Sequence, residues 1–300
     1  MKQNRLFLIS IFIVVGSSNP VAIKYALNAG WPPFALGLLR MVVIGIFFTT
    51  WVIARGEGLI GPNSKARRYV IIAALCKAAA VVLFYSSISM IPAGRAVVIS
   101  TISPVVSLVL IHFILEHEHV RRHHIMGILT SLAGILLLLA TREENSDGKT
   151  ASAMLLLLGD LLMVVSVVFN NTMVVLEKKA LIHGASPGHL LVSTNIFSVA
   201  VFALLISIFG ESLKTIPINP MSIGAYLYLI SVVGVFLFYY RRWLVSKLDV
   251  TYISSFSHFG KAVSIIYAVV FLGEKISLFS LLCFILILAG TIVATKSKNI

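Results

Sequence analysis

Hydrophobic stretches of about 20 residues recur along the whole chain of 300 residues. Because a helix rises about 1.5 Å per residue, each stretch is long enough to cross a hydrocarbon layer of about 30 Å. The connections are short, so no additional soluble domain fits between them. The sequence therefore predicts an all-α integral membrane protein with ten transmembrane helices. The predicted spans are residues 6–27, 34–54, 69–90, 93–115, 122–140, 152–176, 188–209, 221–243, 250–272 and 276–295.

The composition agrees with the bilayer as the solvent of this chain. Hydrophobic residues make up 59% of it and charged residues only 12%, whereas an ordinary soluble domain has about 25% charged residues. The formal net charge of +13 does not indicate nucleic-acid binding, because most Lys and Arg lie in short segments between hydrophobic stretches. Cys76 and Cys283 lie inside hydrophobic stretches, where a free thiol behaves as a small hydrophobic group.

The Lys and Arg residues of the connections and span ends are distributed unevenly between the two faces of the membrane. If the N-terminus and the even-numbered connections share one face, that face holds fifteen Lys and Arg. The opposite face holds five, namely Arg95, Arg142, Lys149, Lys214 and Lys275. Because Lys and Arg accumulate in cytoplasmic loops, both termini are predicted to be cytoplasmic. The short loops favour a prokaryotic inner membrane.

The two halves of the chain share sequence features at a nearly constant offset. A shift of 156 residues places Leu132-Ala133-Gly134 on Leu288-Ala289-Gly290 and Glu118 on Glu274, and a shift of 154 places residues 24–27 on residues 178–181. Each half contains five spans, an odd number, so the second half enters the membrane from the opposite face. The sequence therefore predicts two inverted five-helix repeats, residues 1–141 and 152–296.

Five charged side chains inside the predicted spans are candidates for a functional role: Lys24, Arg40, Lys77, Asp160 and Lys261. An ionised group there costs at least about 2.5–3.5 kcal/mol and usually faces a protein interior or a wet cavity. Lys261 lies near mid-depth, beyond the reach of either interface, and is predicted to face the substrate or to pair with Asp160. Lys77 has the same two options. Arg40 suits a carboxylate or phosphate, or serves as a structural anchor, and Lys24 is close enough to its span end to snorkel.

The positive charges outnumber the negative one, which predicts a site for an anionic or zwitterionic small molecule. The break of the first span at Gly16-Ser17-Ser18-Asn19-Pro20 either lines this cavity or is a packing kink, because Pro20 frees the carbonyl of Gly16. Asn170 and Asn171 are expected to bond between helices. The candidate substrate-binding residues are Lys261, Lys77, Arg40, Lys24, Asn19 and His258, and Asp160 is a candidate for proton coupling or an ion pair.

A histidine-rich connection spans residues 112–124 and includes Glu116 and Glu118. His119 and His123, four residues apart, are spaced for a metal pair on a helix, but the neighbouring arginines favour a solvated loop. No metal site, cofactor or catalytic constellation is predicted, and the chain contains no P-loop for an ATP-driven pump.

The order of these motifs resembles the drug/metabolite transporter superfamily, specifically its EamA type with paired five-helix units. The first half contributes residues 16–24, Leu39-Arg40, Pro104 as a helix break and Glu118, and the second half contributes Gly159-Asp160 and Leu272-Gly273-Glu274. The run Gly260-Lys261-Ala262-Val263 resembles the branch that carries nucleotide sugars and triose phosphates, whose members use this lysine on a substrate phosphate.

The resemblance implies a secondary transporter that exports an amino acid, an organic anion or a drug-like solute by alternating access, and not an enzyme. An exchanger of phosphorylated sugars or nucleotide sugars is the alternative, because of Lys261. An integral membrane enzyme or lipid-handling protein is a third hypothesis from another class, and only the histidine-rich connection favours it. No nucleic-acid partner is expected.

Overall fold

The structure is a computed structural model that describes residues 2–56, 58–59, 61–115, 122–140, 153–213, 216–240 and 250–295. Every extended element of regular structure in these ranges is a helix. The helices are α1 Lys2–Ser17, α2 Asn19–Asn28, α3 Pro33–Ala54, α4 Ser64–Met90, α5 Ala93–Ser100, α6 Ser103–Leu115, α7 Arg122–Ala140, α8 Ala153–Ile182, α9 Pro187–Phe209, α10 Pro220–Ile230 with a π-helical continuation Ser231–Phe236, α11 Val250–Leu272 and α12 Leu278–Thr295.

The described helices include six that are long and apolar enough to cross a membrane, with α2 and the end of α1 counted together. Four shorter apolar helices supply the rest of the predicted spans, so the ten-helix membrane fold is confirmed. Two boundaries differ appreciably from the prediction. Helix α4 begins at Ser64 because Asn63 caps it by accepting a hydrogen bond from the Ala66 amide, and α8 continues to Ile182. Hydropathy does not register a helix that continues beyond its apolar stretch.

Two of the ten spans are interrupted. The first span changes from α1 to α2 at Ser18, next to Pro20 in the first turn of α2. The fourth span changes from α5 to α6 at Thr101–Ile102, next to Pro104 in the first turn of α6. Proline cannot donate a backbone hydrogen bond, so each break places irregular backbone inside the membrane, where it requires a protein or aqueous neighbour.

The repeat is visible in the packing of α7 against α12. A Cβ added to Gly134 would lie 3.2 Å from the Ile287 amide nitrogen and 3.3 Å from the Cys283 carbonyl oxygen. A Cβ added to Gly290 would lie 2.6 Å from the Ser131 amide nitrogen and 2.8 Å from the Gly127 carbonyl oxygen. These partners are related by the same shift of 156 residues as the glycines themselves. The contact is therefore reciprocal, as a pseudo-two-fold axis between the repeats requires.

Two helix ends that are related by the shift of 154 residues also have the same cap structure. Gly30 and Gly184, 154 residues apart, both adopt the left-handed conformation, with φ angles of 97° and 89°. After them, the Trp31 amide bonds the Ala26 carbonyl and the Ala185 amide bonds the Ala180 carbonyl. Both ends thus carry the paired hydrogen bonds of a Schellman cap, which a glycine permits without strain. The equivalent helices α2 and α8 end alike although they belong to opposite repeats.

The helices divide into a closely packed frame and a more loosely packed group. The most extensive contacts join α4 to α8, α7 to α12, and α9 to α3 and α4. The broken spans, α10 and α11 make fewer contacts with their neighbours. Because low contact density accompanies low local stability, the second group is the part of the fold most able to move. The cavity described below lies where the two groups meet.

Candidate functional site

A cavity of about 260 Å³ lies inside the helix bundle. Seven helices contribute polar or charged side chains to it: α2, α3, α4, α5, α6, α8 and α11. Both breaks border the cavity, the first through Gly16, Asn19 and Pro20, and the second through Ser100 and Ser103. The irregular backbone in this membrane protein therefore lies where the structure offers it a cavity. The charged lining residues are Arg40, Lys77 and Lys261.

Arg40 is 3% exposed and lies on α3, seven residues from its start. Its Nη1 donates to the Tyr85 hydroxyl at 3.2 Å, and its Nη2 donates to the Asn19 Oδ1 at 3.1 Å. Its Nε is buried without a hydrogen-bond partner. Both partners are neutral, so neither supplies a counter-charge, and one donor of the guanidinium has no partner among the described residues. An unused buried donor carries a desolvation cost of about 1–3 kcal/mol.

Lys261 lies on α11 and donates from Nζ to the Ser100 Oγ at 2.8 Å. The Ser100 hydroxyl in turn donates to the Val97 carbonyl at 2.8 Å. Serine is neutral, so this bond satisfies one of the three ammonium donors and leaves the charge uncompensated. The bond also crosses between the repeats, because α5 belongs to the first half of the chain and α11 to the second.

Neighbouring asparagines of α8 have different surroundings. The Asn171 Oδ1 accepts hydrogen bonds from Ser103 and Ser107, and its Nδ2 donates to the carbonyl of Val167. Asn170 also lines the cavity, but its side chain makes no hydrogen bond with the described residues. Asn171 therefore links α6 to α8, whereas the Asn170 amide has no described partner at the cavity wall.

Asp160 lies outside the cavity lining and is fully buried. The Arg95 guanidinium binds its carboxylate with two nitrogens, Nε at 2.9 and 3.1 Å and Nη2 at 2.7 Å. Arg95 Nη2 also donates to the carbonyl of Leu138 at 2.8 Å. The sequence had suggested Lys261 or Lys77 as the partner of Asp160, whereas the structure places Arg95 there. Through this bidentate pair and the bond to Leu138, Arg95 links α5 to α7 and α8, which are two helices of the closely packed frame.

Lys24 also lies outside the cavity lining. Its ammonium donates to the carbonyls of Ile88 and Ile91 at 2.9 and 3.0 Å, at the C-terminal end of α4. The last carbonyls of a helix have no partner within it and carry the negative end of the helix dipole. Lys24 therefore caps α4 here, instead of snorkelling to the membrane surface.

Glutamates of the second half cap two helices of the first half. Glu211 accepts from the amides of Phe34 and Ala35 at the start of α3, and Glu274 accepts from the amides at the start of α5. The N-cap residues of α3 and α5 are Pro32 and Pro92, which have no side-chain acceptor. The two carboxylates supply the acceptors that these helices lack.

The structure thus brings together four predicted substrate-binding residues, Lys261, Lys77, Arg40 and Asn19, and the predicted breaks at Gly16 and Pro20 border them. Pro104, in the first turn of α6, is not part of the cavity lining. His258 belongs to α11, but its side chain lies outside the described part, as do residues 116–121 of the histidine-rich connection. Among the described residues, no group of His, Cys, Asp and Glu could hold a metal ion.

Sequence reasoning missed Tyr85, Ser100 and Arg95 as parts of these networks. Arg95 was counted with the charges of the outer face, although it lies inside the predicted fourth span. Its position was a usable signal, because Arg95 and Asp160 belong to spans that start at the same predicted face, and the long arginine side chain can extend from its shallower position toward the carboxylate. Tyr85 and Ser100 carried no such signal, since nothing in the sequence shows which face of a buried helix meets an arginine or a lysine.

An inverted repeat of ten membrane spans around a polar cavity is the architecture of a membrane transporter. The family model described as "EamA-like transporter family" matches residues 5–140 and again residues 157–296. The chain therefore belongs to the EamA-like transporter family, within the drug/metabolite transporter superfamily. The double match also confirms the two-repeat architecture inferred from the sequence.

Solved structures share this fold. One crystal structure, titled only as that of a protein, superposes with a TM-score of 0.65 at 19% sequence identity. The match covers 97% of this chain and 96% of the other, so the two share their architecture over their full lengths. No curated protein matches the sequence.

Proposed function

We propose that this protein is a secondary active transporter that moves a small metabolite by alternating access around the cavity of Arg40, Lys77 and Lys261. Membership of a transporter family supports the class, and the place of the cavity between the repeats supports the mechanism. A site between inverted repeats faces either side of the membrane when one repeat moves relative to the other.

The substrate carries an acidic group. The observation that supports this most strongly is that Arg40 and Lys261 are bound only to neutral partners among the described residues. A buried ion without a counter-charge costs several kcal/mol, and a carboxylate or phosphate from solution would offset that cost. None of the cavity-lining residues is Asp or Glu, so no described carboxylate of the lining competes for this role.

The cavity favours a small substrate. Its volume of about 260 Å³ lies just below the roughly 300–1,000 Å³ of typical ligand pockets. An amino acid or a small organic acid suits that volume better than a nucleotide sugar. The free amide of Asn170 adds a neutral donor and acceptor, which suits a substrate with a second polar group.

Exchange of a phosphorylated sugar is the second candidate function. Its support is Lys261, whose ammonium uses one donor on Ser100 and has two left for phosphate oxygens. Arg40 would bind the same phosphate or a neighbouring carboxylate. The two candidates therefore share one anion site and differ in the group that carries the charge.

Direction, orientation and coupling complete the proposal. The excess of Lys and Arg on one predicted face supports cytoplasmic termini. The short loops support a prokaryotic inner membrane, and the family supports export as the direction. Proton coupling through Asp160 remains a prediction. The bidentate bond to Arg95 favours a structural role for this carboxylate, and Asp160→Asn tests the two roles by proton dependence of flux. If the proton dependence of flux is unchanged in this variant, Asp160 has a structural role.

Thermal unfolding of the purified protein in detergent tests the anion site. The panel contains amino acids, dicarboxylates, sugar phosphates and nucleotide sugars, applied to the natural protein and to Arg40→Met, Lys261→Met and Lys24→Met. A ligand that binds only the folded state raises the unfolding temperature. We expect an acid to stabilise the natural protein and Lys24→Met, and to lose its effect in the two cavity variants.

Stabilisation by neutral or cationic compounds alone would contradict the proposal, as would an acid whose effect survives in both cavity variants. Counterflow in proteoliposomes then tests transport itself. An internal load of the stabilising acid should drive uptake of the labelled acid, whereas an internal load of inorganic phosphate should do so only for the phosphate exchanger. Binding without any flux would remove the transporter proposal and keep the anion site.

A further inference from the structure

The short helix α5 has unusual attachments at both ends. It comprises eight residues, Ala93–Ser100, and belongs to the first repeat. Ala96, Val97 and Ser100 line the cavity, so one side of α5 forms part of the cavity wall. Both ends are held by α11 or the turn that follows it, which belong to the second repeat. The contact between α5 and the α11 segment therefore depends on two sets of polar bonds, whereas the Arg95–Asp160 pair binds α5 separately to α8.

The N-terminal attachment is the carboxylate of Glu274. Its Oε1 accepts from the Ala93 amide at 2.6 Å and its Oε2 accepts from the Gly94 amide at 2.7 Å. We call this pair of bonds the Glu274 cap. Gly94 permits the close approach, because a Cβ there would lie 3.2 Å from Oε2. A carboxylate at a helix N-terminus is favoured by the free amides and by the helix dipole.

The turn before Glu274 explains why this residue reaches α5. Gly273 adopts a φ angle of 66°, a left-handed conformation that ends α11. The Glu274 amide then returns to the Ala268 carbonyl, at 3.3 Å, and the side chain extends to the neighbouring helix. The sequence Gly273-Glu274 is thus a turn followed by a cap for a helix of the other repeat.

The C-terminal attachment is the hydrogen bond from Lys261 to Ser100, at 2.8 Å. Immediately after Ser100, the helix breaks at Thr101–Ile102, ahead of Pro104. A break next to proline is a position where a helix changes direction at low cost. The helix α5 is therefore joined to the second repeat's α11 segment at its start by Glu274 and at its end by Lys261, while Arg95 holds it to α7 and α8. The chain can bend just beyond Ser100.

We propose that the contact between α5 and α11 is a gate at the Glu274 end of the cavity and that the Glu274 cap holds it closed, while the Arg95–Asp160 pair keeps α5 on α8. The proposal rests on the proposed function, since a gate is needed only if the cavity takes a solute from each face. An anion that binds Lys261 draws the ammonium toward the cavity and weakens its bond to Ser100, the second attachment. The Glu274 cap is then the described polar contact between α5 and the turn after α11 that opening of this end must break.

Cysteine labelling tests the gate without any ligand. The background is Cys76→Ala with Cys283→Ala, and the reporter is Val97→Cys, because Val97 lines the cavity and is 3% exposed. A membrane-impermeant maleimide is applied separately to each face of oriented vesicles. We expect Glu274→Ala to raise the labelling rate at the Glu274 face at least fivefold and Glu274→Gln to raise it less. The matched control is Lys275→Ala, an exposed neighbour, which should leave the rate unchanged.

The second attachment has its own variant. Ser100→Ala removes the acceptor of Lys261 and keeps both the lysine and the Glu274 cap. We expect a smaller rise in Val97→Cys labelling at the same face, about twofold. An unchanged labelling rate in Glu274→Ala at both faces would overturn the gate, and an unchanged rate in Ser100→Ala would remove Lys261 from its control.

Disulfide formation provides an independent measurement if the reporter folds poorly. Ala93 and Ala268 are fully buried in one cluster between α5 and α11. In Ala93→Cys with Ala268→Cys, a mild oxidant should close a disulfide quickly while the gate is shut. Glu274→Ala should slow this closure severalfold, and Lys275→Ala should not. Equal rates in all three proteins would contradict the gate.

These experiments separate the gate from the proposed function. Neither labelling nor disulfide closure requires a substrate, so both report on α5 even if no acid stabilises the protein. Absence of stabilisation by every acid, with the expected labelling, would remove the anion site and keep the gate. Stabilisation by an acid, with labelling and closure unaffected by Glu274→Ala, would remove the gate and keep the anion site.

Discussion

Two buried arginines of this protein have equal exposure and opposite surroundings. Arg95 and Arg40 are each 3% exposed. Arg95 binds both oxygens of a carboxylate, Asp160, inside the helix bundle. Arg40 binds a hydroxyl and an amide oxygen and keeps a buried Nε without a partner at the cavity wall. Asp160 neutralises the charge of Arg95, whereas the described partners of Arg40 give it no counter-charge.

The difference gives a criterion that separates a structural charge from a candidate ligand-binding one inside a membrane. Insertion of either arginine is costly, so depth in the membrane does not separate them. Partner chemistry does, because an internal counter-ion completes the site without a ligand. The same criterion separates Lys24, which caps a helix, from Lys261, which holds a serine of the cavity wall.

The largest expected effect is that of Arg95→Met. The change leaves the Asp160 carboxylate buried without its counter-charge, and we expect the free energy of unfolding to fall by about 3–5 kcal/mol. Equilibrium unfolding in detergent measures it. The control is Arg95→Met with Asp160→Leu, which removes both charges and should recover most of the loss. A loss below about 1 kcal/mol in the single variant would contradict the structural assignment of the pair.

Arg40→Met should separate binding from stability. We expect the affinity for the stabilising acid to fall at least tenfold, which corresponds to about 1.4 kcal/mol. The stability of the ligand-free protein should be unchanged or higher by about 1 kcal/mol, because an unsatisfied buried donor is removed. Calorimetric titration and unfolding without ligand measure the two quantities. If the ligand-free protein loses as much stability as Arg95→Met, the two arginines have the same role.

Lys24→Met and Lys261→Met should separate stability from binding in the same way, with a smaller effect. Lys24→Met removes the donor to the Ile88 and Ile91 carbonyls, and we expect a loss of about 0.5–1.5 kcal/mol in stability. The shift in unfolding temperature caused by the acid should remain. Lys261→Met is the matched variant, in which the shift should disappear. An acid-dependent shift that vanishes in Lys24→Met instead would place Lys24 at the site.

Asn170→Leu should give the smallest effect. This amide has no described partner, so its loss should cost no stability and should lower the affinity for the acid about two- to tenfold, within the range of one neutral hydrogen bond. Calorimetric titration of the purified variant measures the affinity. The control is Thr172→Leu, two residues along α8, whose hydroxyl bonds the carbonyl of Val168. Equal affinities in the natural protein and Asn170→Leu would exclude the amide from the site.

Much of this architecture was predictable because it depends on local sequence. Apolar length sets the spans, and Gly30 and Gly184 end equivalent helices because each adopts a left-handed conformation. The reciprocal contact of Gly134 and Gly290 follows from the same repeat. Cavity-facing Arg40, Lys77 and Lys261 were recognisable as candidates because charge is costly at these depths.

The partners of the charged residues were less accessible to sequence reasoning. Asp160 had several cations within range of its depth, and the choice of Arg95 depended on which helices are neighbours. Glu274 was visible only as a member of a repeated motif, and its contact with α5 depends on a turn and on a helix 180 positions away in the sequence. No pattern along one helix carries that information.

The sequence by itself determined that this protein crosses the membrane ten times, that its halves are inverted repeats, and that several cations lie within the bilayer. These properties follow from residue hydropathy, turn conformation and periodicity, which act over a few neighbouring residues. Only the tertiary structure decided that Arg40, Lys77 and Lys261 share one cavity while Arg95 and Lys24 do not. That outcome depends on the rotation and adjacency of distant helices, because side-chain partners are chosen by position in space.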